Sequence, residues 1–133
     1  MLYYLDTCIV IYAVEGQPSF QQRARDHIAA LEDAGHRFVV SNLVWTECLV
    51  HPLGMAIGPL LLEYQQFFVG PHLATVSLTA AIHQRAAMIR GTHHFGLADS
   101  LHLAAAVENR LDRFLTNDNR LAAFPDINVE TLP

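Results

Sequence analysis

The sequence contains no lysine: its eight cationic side chains, set against thirteen carboxylates for a formal charge of −5, are all arginine. Without lysine there is no phosphate-binding loop of the GxxxxGK[ST] type and no amine to form a Schiff base. The acidic balance also argues against a broad basic surface for duplex DNA. A small nucleic-acid site remains open, because an arginine cluster or a bound divalent cation reverses the potential over a few ångströms. Cysteine is scarce too. Cys8 and Cys48 are too few for a disulfide framework and read as small buried side chains in a reducing compartment. Hydrophobic residues make up 52% of the chain, yet no apolar run approaches the ~18 to 20 residues of a membrane-spanning helix. The N-terminus lacks the basic start and cleavage site of a secretory signal, since Asp6 breaks its apolar run. A cytoplasmic protein with no membrane partner is expected. A chain of 133 residues can bury a sufficient core unaided, so one domain over 1–133 is the expectation.

What is present is an alternation of segment types. Apolar, β-branched and aromatic runs at 2–5, 37–41, 73–78, 113–116 and 127–132 are five strand candidates. Helical character occupies 19–34, 42–50, about 55–69, 79–91 and 98–110. Gly16, Gly35, Pro52, Pro71, Gly91 and Pro125 read as punctuation between the segments. Such alternation predicts an α/β fold, three layers deep, with a mostly parallel sheet of about five strands covered by helices.

Ligands of such sheets bind beyond the carboxyl ends of the strands. Asp6 follows the first strand directly, where an unpaired buried charge is costly. Asp118 follows the fourth, with Thr116 and Asn117 beside it as further oxygen or hydrogen-bonding groups. Glu47 lies six residues after Ser41, a plausible N-cap, and Asp99 opens the helix "DSLHLAAAVENR" either as a cap or as a group aimed into the crevice. Each has an ordinary explanation as a cap, a turn residue or a solvated helix charge. Their shared position beside apolar segments instead predicts four carboxylates converging at one sheet edge, where mutual repulsion calls for a cation. Mg²⁺ suits that need, binding hard oxygens and keeping waters that can attack a phosphodiester.

These residues resemble the PIN domain family and, within it, the VapC-like toxins, which are small metal-dependent ribonucleases. "YLDTCIVIYAVEG" is similar to the family's opening strand, acid and first helix, "SNLVWTE" to its serine and helical glutamate, "FGLADSLHLAAAVENR" to its third acid and alanine-rich helix, and "FLTNDNRL" to its fourth-acid motif. The resemblance implies a PIN-like fold and Mg²⁺-dependent cleavage of RNA, with Mn²⁺ able to substitute. It implies Asp6 and Asp99 as the main metal ligands, Glu47 and Asp118 completing the pocket, and Thr7 and Thr116 orienting water or phosphate oxygens. It further implies a toxin paired with a cognate antitoxin. One departure is Cys8, where the family more often has asparagine or serine, implying weaker hydrogen-bonded support there.

Other residues have plainer readings. The cysteines and histidines lack the paired spacing of a structural zinc site. His102 is expected to be packed or hydrogen-bonded, His93 and His94 to lie in a surface loop, and Trp45 to pack in the core. Arg120, two residues after Asp118, is the best candidate to contact phosphate, with a structural salt bridge as its competing role. The apolar segment "GMAIGPLLLEYQQFF" exceeds what one domain buries and suits a homodimer face or a groove for an antitoxin helix. Two rivals remain: a non-catalytic PIN-fold module that binds RNA or protein, and a phosphotransfer domain. The second fits poorly, since it needs a lysine and, in the dehalogenase type, a second acid where Cys8 stands.

Overall fold

Tyr3, Tyr4 and Leu5 leave no polar face on their strand, and only a strand covered on both sides accommodates that. In the computed structural model, which describes residues 1–133, β1 (Leu2–Leu5) is indeed the middle of a five-stranded sheet of order β3-β2-β1-β4-β5. Its partners are β2 (Arg37–Ser41) and β4 (Arg113–Thr116), with β3 (Leu73–Val76) and β5 (Asn128–Thr131) at the edges; every pairing is parallel.

Parallel neighbours need crossovers, and these are almost always right-handed. The chain moves one way across the sheet through α1 (Thr7–Glu15) and α2 (Pro18–Asp33) to β2, then through α3 (Asn42–Gly54) and α4 (Gly58–Phe68) to β3. It then reverses past β1 through α5 (Ala80–His93) and α6 (Leu97–Glu108) to β4. Constant handedness puts helices of opposite travel on opposite faces. Accordingly α1 packs on α2, α3 and α4, whereas α5 packs on α6, completing three layers. Alternation along β1 sends Tyr4 to the α6 side, where its ring stacks on Phe114 with centroids 5.2 Å apart. In α6, Leu103 and Ala104 to Ala106 are all buried; the small side chains let the helix lie close to the sheet.

The sequence reading needs several corrections. Pro52 lies inside α3 and Gly91 inside α5. Each falls in the final turn, where a missing N–H or an absent side chain costs little of the helix. Instead, α5 stops at His94, which takes the left-handed conformation (φ 61°) and donates its N–H to Arg90 O; His93 is thus helical and His94 is its cap rather than part of a free loop. Ser41 occupies the N-cap position of α3 but does not cap with its side chain. Asp99 does not open α6, which starts two residues earlier after Gly96. Trp45 is 39% exposed, tilted against Phe68. A short 3-10 turn, Asn119–Ala123, follows β4.

Candidate active site

The strand order reverses between β1 and β4, so their carboxyl ends open a crevice, and the chain places acids on both sides of it. Asp6 still donates its N–H to Leu115 O of β4 (3.0 Å) while serving as N-cap of α1. The residue is only 7% exposed. Its charge is tolerated because Oδ1 accepts the Thr7 N–H (2.9 Å) and Oδ2 accepts the Thr116 hydroxyl (2.7 Å), beside the positive end of a helix. Cys8 Sγ stands 3.8 Å from Oδ2, a much weaker contact. Burial and the Asp6 charge push the Cys8 thiol up to about 11, so it is no nucleophile at neutral pH. Thr116 thus makes the short support to Asp6, while Cys8 Sγ accepts the Asn117 N–H (3.4 Å).

Asp118 caps the 3-10 turn through the Arg120 N–H (3.0 Å) and grips the Arg120 guanidinium, Nη2 to Oδ2 at 2.5 Å. Those hydrogen bonds hold its carboxyl below the usual range. The same Nη2 lies 3.9 Å from Asp99. Asp99, half-buried in the first turn of α6, is shifted the opposite way: burial raises its pKa, and the charges of Asp6 and Asp118 raise it further, against Arg120 and His102. Asp99 thus feels two acids from separate parts of the chain at this point.

Glu47 joins from α3 by a different route. Its Oε1 accepts from the Thr7 hydroxyl (2.7 Å) and from His102 Nε2 (2.5 Å). Burial works to raise its pKa, but the His102 and Thr7 hydrogen bonds prevail and lower it. Thr7 therefore couples Glu47 to the turn that holds Asp6. Asn117 directs its amide to Tyr12 (3.3 Å), and with Arg120, Cys8 and Tyr12 it lines an open cavity of about 410 Å³ beside the acids.

No three of the molecule's histidines, cysteines and carboxylates are grouped to hold a metal ion by themselves. The donor set nevertheless fits Mg²⁺ in kind. All four acids offer hard oxygens, and Mg²⁺ needs only one or two carboxylates beside its waters and substrate phosphates. The repulsion at Asp99 supplies the electrostatic demand, met in part by Arg120. His102, expected to be packed or hydrogen-bonded, is 1% exposed and is both. Missing from the sequence reading are the Tyr4 hydroxyl and the Ser41 Oγ behind it. Neither carries a local signal, since Tyr4 reads as strand filler and Ser41 as a cap.

The family model described as PIN domain matches residues 3–127. No curated protein sequence matches the chain. Solved structures share its fold. One is VapBC2 from Rickettsia felis bound to a DNA fragment from its promoter, with a TM-score of 0.80 and 18% identity over 100% of both chains. A toxin-antitoxin complex from Klebsiella pneumoniae gives 0.74 and 22% over 98% of each chain. VapC20 from Mycobacterium tuberculosis, a toxin that cleaves the sarcin-ricin loop, gives 0.75 and 13% over 95% of this chain and 98% of its own. Identities this low carry across the fold alone.

Proposed function

Since the chain belongs to the PIN domain family, we propose that it is a Mg²⁺-dependent endoribonuclease, the toxin of a toxin-antitoxin pair. The observation that carries this reading is that Asp99 of α6 and Asp118 after β4 flank one guanidinium, Arg120 Nη2 standing 3.9 and 2.5 Å from them, at the crevice that Asp6 borders: anions brought together at one sheet edge are what a cation-dependent phosphodiesterase site requires. Asp6 and Asp99 hold the ion, with Glu47 and Asp118 completing the pocket. When bound, Mg²⁺, or Mn²⁺ in its place, supplies Lewis acidity and positive charge against phosphate in a protein with little basic surface. Thr116 keeps Asp6 Oδ2 oriented. Thr7 ties the Asp6 turn to Glu47. Arg120 is 78% exposed and reaches phosphate oxygens by releasing Asp118, with Asn117 beside it in the same cavity. Water is the nucleophile.

The test is cleavage of a structured RNA pool with Mg²⁺, with Mn²⁺ and with chelator. Chelation, Asp6→Asn and Asp99→Asn are each expected to cost about 100-fold or more in rate, the several kcal/mol that an ion contributes to the transition state. Equal cleavage in all conditions would overturn the assignment. One observation favours the alternative of a non-catalytic binding module: Arg120 already clasps Asp118 and neutralises part of the crevice. Uptake of Mn²⁺ that is lost in Asp6→Asn separates the two.

The antitoxin partner is supported by a groove of about 450 Å³ with an apolar floor of Ala13, Val14, Ile28 and Phe67 and a charged rim of Arg25, Glu32 and Glu63. That lining suits an amphipathic helix. Where a small protein is encoded beside this chain, Phe67→Asp is expected to abolish its co-purification; unimpaired co-purification would place the partner elsewhere.

A further inference from the structure

Behind Glu47 runs a buried polar chain to which the proposed reaction assigns no role. Tyr4 from β1, Ser41 from β2 and His102 from α6 are exposed by 0%, 0% and 1%. Polar groups so deeply buried are costly unless hydrogen-bonded, and phenylalanine, alanine and leucine would fill similar space without that demand. All three are satisfied, and only by a path that leads to the acidic crevice. Tyr4 Oη bonds Ser41 Oγ (2.8 Å) and the Ser41 N–H (3.3 Å), and it meets His102 Nδ1 at 2.7 Å. The ring is thereby fixed with Nε2 2.5 Å from Glu47 Oε1. An ionised carboxylate only accepts, so Nε2 carries the hydrogen of that bond.

The effect falls on one oxygen. Glu47 Oε1 receives both His102 and the Thr7 hydroxyl, the latter at 2.7 Å, while Oε2 has no partner within the chain. A glutamate side chain is otherwise free to sample many rotamers. Here one oxygen is anchored to a buried imidazole and to the residue that follows Asp6, which leaves the other without a partner in the chain. We propose that His102, braced by Tyr4 and Ser41, is a positioning residue that clamps Glu47 through Oε1 and presents Oε2 to the divalent ion. This rests on reading the crevice as a metal-dependent nuclease site.

Mn²⁺ titration calorimetry on the full chain tests it as a double-mutant cycle of His102→Leu and Glu47→Gln. His102→Leu is expected to weaken Mn²⁺ binding about 10-fold or more, as loss of a ligand's supporting hydrogen bond does, and to cost nothing further once Glu47→Gln is present. Tyr4→Phe, which removes a single oxygen and keeps the core filled, is expected to weaken binding in the same direction, and it carries the test if His102→Leu does not fold. His102→Gln, with an amide able to donate to Oε1, recovers most of the loss. In RNA cleavage the fall appears in kcat rather than KM. A merely structural histidine would lower affinity equally in both Glu47 backgrounds, and that result, or no change in either, overturns the clamp alone. A wild-type protein that takes up no Mn²⁺ and cuts no RNA overturns the nuclease proposal and the clamp with it.

Discussion

Tyr4 and Tyr64 have no exposed surface, and burial raises both phenol pKa values well above 10, aided at Tyr64 by its hydrogen bond to Glu15. Unfolding returns each to about 10. Because the folded state holds these protons more tightly, their stabilisation is complete below pH ~10 and is lost as pH rises beyond it, at up to about 1.4 kcal/mol per pH unit for each phenol. Buried Cys48, raised by the same desolvation, starts the decline near pH ~9. Urea midpoints measured from pH 7 to 11 are expected to stay level and then fall, less steeply in Tyr64→Phe; an unchanged slope in that variant contradicts the account. Legibility at this scale depends on local context. Asp6 and Asp118 stood out because each is a charge placed directly after an apolar strand. His102 gave no such sign: its partners Tyr4 and Glu47 lie 98 and 55 residues away in sequence, and tertiary contact alone creates its role.

At the scale of elements, periodicity reports a helix only where one side faces water. The stripe on α2 was visible on that basis. By contrast α1 is enclosed by α2, α3 and α4, is apolar nearly all round, and entered the reading only through a family resemblance. Punctuation misled where a helix absorbed it, at Pro52 and Gly91. The glycines make the distinction measurable. A Cβ on Gly16 would stand 2.6 Å from Tyr12 O and 2.8 Å from Tyr12 Cα, backbone atoms that cannot give way. Nothing lies within 4 Å of a Cβ on Gly91. Gly16→Ala is therefore expected to destabilise by about 1 to 3 kcal/mol, and Gly91→Ala to stabilise by about 0.5 to 1 kcal/mol. Thermal unfolding checks both, and shifts of the same sign would contradict the helix boundaries.

Across the whole molecule, strand and helix alternation was enough to anticipate a parallel sheet, because a helix between two strands supplies the long crossover that parallel neighbours need, whereas antiparallel neighbours need only a short hairpin. The order β3-β2-β1-β4-β5 was not readable, since alternation does not reveal where the chain reverses. That reversal brings Asp99 and Asp118, at the ends of α6 and β4 respectively, to the acid that follows β1. No helix is long and apolar enough to cross a membrane. The surplus apolar surface anticipated in 54–68 is partly real: Met55 and Leu62 are 68% and 54% exposed, with Leu53 beside them at 60%, whereas Tyr64 and Phe68 are buried. Sedimentation tests whether that face pairs two copies as the sequence led one to expect: twice the chain mass is the expected outcome, and a monomer at all concentrations removes the homodimer.

An anomalous difference map from Mn²⁺-soaked crystals reaches the central claim most directly. A single strong peak about 2.1 Å from oxygens of both Asp6 and Asp99, with Arg120 turned away from Asp99, is the predicted result. Peaks only at histidines, or none between those two carboxylates while Arg120 keeps its place, would contradict it.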